Sequence, residues 1–279
     1  MKTMLVLEGG ALRGIYTAGV LDVLLETDIK IDAIVGVSAG ALFGINYVSN
    51  QKGRCLRYNL ENVNNKNYMG LYSLLTTGNI MNKDFCFNKL IYETDPFDFE
   101  TFKKSKTKFY CVVTNLETGK AEYIEIKDLK KDMEYLRASG SMPLVSQIVD
   151  INGKKYLDGA IADSVPIQWA EKQGYDKIIV AETRPKEFRR KKTFLLPFKI
   201  KYRKYPNFVK AVDNRTEEYN QTKEYIIKKE NKDIFVIRPS KLVKIKRIEK
   251  DKEKIKEMYH LGESDMKSNL KRLKNYLKK

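Results

Sequence analysis

Apolar residues gather into short unbroken runs, each followed by a stretch of helical spacing. "TMLVLEG" and "IDAIVGV", residues 31–37, have strand length and continuous apolar centres, Met4 to Leu7 and Ala33 to Val37, the mark of strands covered on both faces. The first leads through glycines into a helical pattern from Leu12 to about Glu26, with Ile15, Val20, Leu21, Leu24 and Leu25 on one periodic set. The second runs straight into "SAGALFGINYV", again helical. Strand, helix, strand, helix with short links predicts a mostly parallel central sheet between helical layers, an α/β/α sandwich. Further along, "KFYCVVTNL" and "AEYIEI" predict a strand pair turning at residues 117–120, and "MEYLRASGSM" a helix ending before Pro143. "VDINGKKYLDGA" predicts a hairpin about Asn152-Gly153. "YDKIIVAETR" and "KDIFVIRP" read as two more buried strands, and the chain from Ile248 as a charged helix. Residues 50–105 are polar with scattered Tyr68, Met69, Leu71, Phe85 and Phe87, which predicts an inserted helical layer over the sheet.

Composition narrows the class. A chain of 279 residues that is 42% apolar and 11% aromatic can bury a sizeable core. Its longest apolar runs fall well short of the roughly 20 residues of a membrane span, and the first stops at Glu8 with no cleavage-site pattern, so a cytoplasmic protein is expected. Cys55, Cys86 and Cys111 lack metal-type spacing and are expected as reduced thiols. No HExxH, Cys/His cluster or EF-hand loop occurs, so neither metal nor cofactor is expected. Charge is unevenly spread: residues 184–279 hold 31 Lys+Arg against 13 Asp+Glu, while residues 1–183 hold 22 against 23. A nearly neutral body thus carries a strongly basic region, suited to an anionic partner.

"GVSAG", Gly36 to Gly40, puts Ser38 at the sharp turn between a buried strand and a helix, flanked by glycines that clear space for it. A serine nucleophile needs a base, and the one histidine, His260, lies in a charged helical stretch of the C-terminal region. Asp158 in "YLDGA" is the better candidate: it ends the hairpin strand just before Gly159, where the backbone can bend and present the carboxylate. An oxyanion needs donors, and "EGGALRG" supplies amides of Gly9, Gly10 and Ala11 at a helix start, with Arg13 nearby. A dinucleotide fingerprint would need glycines at 9, 11 and 14, but position 11 is alanine; no Lys-Ser/Thr pair follows for a phosphate loop either.

These blocks together resemble the patatin-like phospholipase family of lipid acyl hydrolases. "GGALRG", ending at Gly14, is similar to the family's oxyanion block with Ala11 at the third glycine position, "GVSAG" to its nucleophile elbow, and Asp158-Gly159-Ala160 to its Asp-Gly-Gly/Ala block. "ASGSMP", residues 138–143, is similar to the stretch that precedes the aspartate. The resemblance runs from about Met4 to Ala170. It implies a Ser38–Asp158 dyad, two-step acyl transfer through an acyl-enzyme, no calcium, and a lipid or related acyl-ester substrate. A thioesterase or small-ester hydrolase, or a membrane-binding module without catalysis, are the alternative readings. Residues 1–183 then form the acyl-hydrolase core. Residues 184–279 resemble the carboxy-terminal extension of a bacterial subgroup and are expected to pack on that core, adding a strand and helices.

Around the site, the apolar residues of 68–91 are candidates to line an acyl groove or to complete the core. Arg54 and Arg57 are candidates to meet a phosphate headgroup. In "RRKKTFLLPFKIKYRKYP", residues 189–206, eight basic residues and no acidic ones alternate with aromatic and aliphatic side chains. That composition suits an anionic headgroup layer, making Arg189, Arg190, Lys191, Lys192, Phe194 and Phe198 candidate contacts at the inner membrane face. It would also suit nucleic acid, which is not the expected partner here.

Overall fold

In the computed structural model, residues 1–278 are described. Their elements run, in chain order, β1 (Thr3–Leu7), α1 (Ile15–Leu25), β2 (Ala33–Val37), α2 (Ala39–Val48), α3 (Arg54–Asn62) and α4 (Leu71–Thr77). A π-helical segment, Phe85–Thr94, leads to α5 (Phe99–Lys104), β3 (Lys108–Asn115), β4 (Ala121–Glu125), α6 (Leu129–Gly140), β5 (Val149–Ile151) and β6 (Lys154–Asp158). The chain then forms α7 (Ile167–Glu171), β7 (Lys177–Ala181), α8 (Leu196–Lys201), α9 (Pro206–Lys229), β8 (Ile234–Ile237) and α10 (Lys252–Lys278).

One mixed sheet takes the order β5-β6-β3-β2-β1-β7-β8, with β4 also on β3. Strands β3, β2, β1, β7 and β8 are mutually parallel, while β4, β5 and β6 pair antiparallel. The unbroken apolar runs are explained by burial on both faces: β1, β2 and β8 are buried throughout. Leu5, Leu7, Ile34, Phe109, Ile179 and Phe235 face the layer that holds α1, α2, α6 and α10. Their neighbours Met4, Val6, Val35, Ile178, Val180 and Val236 face α7 and α9. The hairpin forms at Asn152 and Gly153, both at positive φ (52° and 82°), the pairing that a two-residue turn of this hand requires.

Residues beyond 183 are built into this body. Strand β8 extends the sheet in register with β7, from Ile178↔Ile234 to Ala181↔Ile237. Helix α1, buried along its length from Ile15 to Leu24, is covered by α10. The two backbones touch at glycines: a Cβ on Gly19 would stand 2.2 Å from the Tyr259 carbonyl oxygen, and one on Gly262 2.1 Å from that of Tyr16. Tyr259 Oη donates to Asp22 (2.5 Å) and Tyr16 Oη to Asp265 (3.1 Å) across the same contact. From α9, the buried Lys223 ammonium lies 2.8 Å from Glu182 just after β7, and Arg238 Nε 2.5 Å from the same carboxylate. No helix among the described residues is long and apolar enough to cross a membrane.

Candidate active site

The sheet itself brings serine and aspartate together. Residues 110–112 of β3 pair with β2 on one edge and β4 on the other, and residues 113–114 pair with β4 and with β6. Strands β2 and β6 therefore share one edge of β3 and meet nearly end to end, with Val37↔Val112 next to Asp158↔Val113. Ser38 leaves the C-terminal end of one and Asp158 closes the C-terminal end of the other. Ser38 Oγ donates to Asp158 Oδ2 at 2.8 Å, with both residues buried.

Each partner is held in a demanding conformation. Ser38 sits at φ 54°, ψ −121°, a region that costs a non-glycine residue of order 1–3 kcal/mol and that places its side chain in the strand-to-helix corner. The corner closes because neighbours lack side chains: a Cβ on Gly36 would lie 2.7 Å from the backbone of Ala41, and one on Gly40 2.6 Å from the Leu7 carbonyl oxygen. Ser139 Oγ accepts the Ser38 N–H at 2.8 Å, so α6 pins the elbow from the side. Asp158 Oδ1 accepts the Ala160 N–H at 2.9 Å, and Gly159 allows this bend because any Cβ there would collide with the Val112 carbonyl oxygen at 2.2 Å. Burial pushes the Asp158 carboxyl above its ordinary range, opposed by the positive charge of Arg215 on α9. A raised carboxyl is a stronger proton acceptor than a solvated one.

The loop after β1 faces Ser38. A Cβ on Gly9 would stand 3.1 Å from Ser38 Cβ, and among the described residues the N–H groups of Gly9, Gly10 and Ala11 find no acceptor. Instead of a helix from Leu12, a short 3₁₀ turn spans Ala11–Gly14 and α1 starts at Ile15. The tight turn arises because the Arg13 N–H bonds Gly10 and the Leu12 N–H reaches across to the carbonyl oxygen of Arg247. Ala11, where the resembled motif has glycine, is held at φ 51°. Gly14 packs on Ala39, where a Cβ would approach within 2.7 Å. Behind the loop, buried Glu8 accepts from the Thr183 N–H (2.6 Å) and Tyr219 Oη (2.8 Å), which ties the loop to α9.

Two arms open from the dyad. One is apolar, lined by Leu42, Phe43, Ile80, Met81, Phe87 and Leu90. The residues of 68–91 thus both complete the core and wall this arm. The other, about 540 Å³, is polar and lies under the segment that follows β7. Ser38, Ala11, Met142 and Arg247 border both.

Several expected contacts fall elsewhere. Arg54 is buried, with its guanidinium on the Asp95 carbonyl (3.1 Å from Nε) and on Asn46 (2.9 Å), and Arg57 forms a two-pronged pair with the Asp95 carboxylate (2.8 and 3.0 Å). Arg54 does line the apolar arm, but Asp95 and Asn46 hold its guanidinium, and Asp95 holds that of Arg57. Within 189–206, Arg189 pairs with Glu224, Arg190 lies over the Tyr219 ring at 4.6 Å inside the polar arm, and Phe198 packs half-buried against Tyr202. Arg189 and Phe198 are committed to the fold and Arg190 is turned into the polar arm, while Lys191, Lys192, Phe194, Leu196 and Ile200 remain exposed. His260 is exposed on α10 beside Glu263, at 2.7 Å. Cys55, Cys86 and Cys111 are free and buried. Sequence reasoning missed Ser139, Glu8, Tyr219 and Arg215. Ser139 falls in the "ASGSMP" stretch, which signalled its presence but not its role, and the α9 residues carry no local signal.

The family model described as "Patatin-like phospholipase" matches residues 5–170, well over half of the chain, and the protein belongs to that family. A second model, described as "Domain of unknown function (DUF6363)", matches residues 205–278. Among curated relatives, the uncharacterized protein YjjU of Escherichia coli is 27% identical over 192 residues, covering 67% of this chain and 53% of that protein. Lysophospholipase nte1 of Aspergillus niger is 29% identical over 192 residues, covering 64% of this chain and 12% of that one. The chain therefore matches about half of the bacterial relative and about an eighth of the fungal one. Among solved structures, VipD from Legionella pneumophila aligns over 96% of this chain and 67% of its own, at a TM-score of 0.43 and 14% identity.

Proposed function

We propose that the protein is a serine lipid acyl hydrolase that uses Ser38 and Asp158 to cleave carboxylic esters of lysophospholipids or related lipids. The observation that carries this reading is the 2.8 Å Ser38–Asp158 hydrogen bond at the mouth of an apolar arm, opposite three amides without acceptors. Family membership and the lysophospholipase relatives support the same class of substrate.

In the reading, Ser38 Oγ attacks the ester carbonyl carbon while Asp158 Oδ2 takes its proton. The carbonyl electron pair moves to oxygen and is held by the amides of Gly9, Gly10 and Ala11. Collapse breaks the bond to the alcohol, which leaves with the proton from Asp158, and the acyl group stays on Ser38 in the apolar arm. Water then enters, gives a proton to Asp158 and attacks the acyl carbon; collapse breaks the bond to Ser38 Oγ, which takes that proton back from Asp158 as the acid departs. No histidine is required, because the carboxylate touches the hydroxyl directly.

Hydrolysis of p-nitrophenyl butyrate and of lysophospholipid micelles by wild type, Ser38→Ala, Asp158→Asn and His260→Ala tests the reading. Loss of roughly 10³-fold or more in the first two, with His260→Ala active, is expected. A Ser38→Ala protein as active as wild type on every ester would remove it.

A further inference from the structure

Six arginines line the polar arm; Arg189 among them is paired with Glu224, and the other five come from distant parts of the chain: Arg13 after β1, Arg184 and Arg190 after β7, Arg215 on α9, and Arg247 before α10. Four of the five come from the region beyond residue 183. None of the five forms an ion pair among the described residues, although that region is rich in such pairs, as at Arg189–Glu224 and Arg238–Glu230. The only carboxylates lining the arm are Asp158, engaged with Ser38, and Glu8, whose two oxygens are occupied by Thr183 and Tyr219.

The arginines are fixed rather than trailing in solvent. Arg190 stacks on Tyr219 at 4.6 Å and Arg184 on Phe188 at 4.3 Å, contacts that orient a guanidinium plane and leave its N–H edge free. The Nε atoms of Arg190 and Arg215 are buried with no acceptor among the described residues. Such groups are costly to bury unless something pairs with them. Burial and mutual repulsion pull Arg215 down to about 9 and Arg13 to about 10. The cations of the arm outnumber its two carboxylates, which favours an anion of more than one charge there.

We infer that these five arginines form a subsite for a phosphate monoester beside Ser38, so that the preferred substrate is an acyl ester whose headgroup ends in a terminal phosphate. The inference rests on the acyl-hydrolase reading for its substrate, but not for its ligand. A phosphate monoester carries about −1.5 to −2 charges at neutral pH and three acceptor oxygens, matching several forks at once. A choline headgroup would set a quaternary ammonium among five guanidinium groups, which like-charge repulsion disfavours. The apolar arm and the cationic arm leave Ser38 at the boundary between acyl chain and phosphate, where the ester of such a molecule lies.

The test has two arms. In the first, calorimetric titration of glycerol 3-phosphate into the Ser38→Ala protein reads binding without turnover. Sub-millimolar affinity is expected, weakened at least tenfold by Arg190→Gln or Arg247→Gln, both at half-exposed or exposed positions, with folding checked by thermal melting. In the second, kcat/KM is compared for oleoyl lysophosphatidic acid and oleoyl lysophosphatidylcholine. The ratio is expected to favour the first by tenfold or more in wild type and to fall toward one in Arg247→Gln, any damage to the dyad cancelling in the ratio. Replacing the oleoyl lipid by soluble butyryl-glycerol 3-phosphate separates the sources: a chain-length preference marks a lipid, and equal rates mark a soluble phosphate ester, each consistent with the subsite. Equal turnover of the two lysolipids, with no measurable binding of glycerol 3-phosphate, overturns the subsite and leaves the hydrolase reading standing. Binding of glycerol 3-phosphate by a protein inactive on all esters keeps the subsite and removes the hydrolase reading.

Discussion

The closeness of α2 to β1 at Gly40 predicts a loss of activity from a single methyl group that touches neither Ser38 nor Asp158. In Gly40→Ala the new Cβ would stand 2.6 Å from the Leu7 carbonyl oxygen and 2.9 Å from its carbonyl carbon, where ordinary contact begins at 3.4 Å. The obstacle is backbone on both sides, so strand and helix must part by roughly 0.8 Å, the difference between those two distances. Ser38 begins that helix, and Gly9 follows that strand two residues after Leu7, so the parting falls on the gap between nucleophile and amides. Overpacking of this kind costs about 1–3 kcal/mol. For a chain of this size that lowers Tm by roughly 2–4 °C per kcal/mol. Displacement of about 1 Å in an organised site costs on the order of 10²-fold in rate. The assay pairs kcat/KM on p-nitrophenyl butyrate at 25 °C, where the variant remains folded, with a calorimetric Tm. Activity within twofold of wild type alongside a lowered Tm would show that the amides of the β1 loop do not act on the substrate carbonyl. An unchanged Tm would refute the packing argument itself.

Two further outcomes follow from the electrostatics and surface. Asp158 works as a base only when ionised, and its carboxyl is raised above the ordinary 3.8 chiefly by burial. The rate should therefore fall on acidification through a midpoint above 3.8. Arg215 opposes the raise, so Arg215→Gln should move that midpoint to higher pH and Arg215→Lys should restore it; a pH–kcat/KM profile for Arg215→Gln that stays put or moves down would assign the base elsewhere. Exposed Lys191, Lys192, Phe194, Leu196 and Ile200 should give flotation with phosphatidylglycerol vesicles that weakens from 50 to 500 mM salt and is reduced by Phe194→Ser with Ile200→Ser. Equal recovery with neutral and anionic vesicles would count against that docking.

The parallel strands were legible because burial on both faces leaves unbroken apolar runs, and the hairpin because Asn152-Gly153 is the pair its turn demands. Ser38 and Asp158 were legible as ends of such strands, flanked by glycines whose need the backbone contacts explain. Three features were not. The end-to-end meeting of β2 and β6 depends on how each registers on β3, and no residue in either strand records its partner's length. The gathering of Arg13, Arg190 and Arg215 into one arm was not legible, since Arg13 and Arg190 read as parts of separate sites and a basic residue such as Arg215 on a long charged helix carries the same signal whether it faces water or a cavity. Arg54 and Arg57 looked free because their partner, Asp95, lies some 40 residues away, beyond the reach of any local pattern.

The contact of α1 with α10 sets the timing of maturation. As the chain leaves the ribosome, the dyad strands and the β1 loop emerge first, but α1, buried around its whole circumference, waits for a helix that packs on it at Gly262. The Leu12 amide likewise waits for Arg247. A nascent chain holding every residue of the proposed chemistry would still lack the cover on α1, so the proposed site would be completed only once α10 has been made.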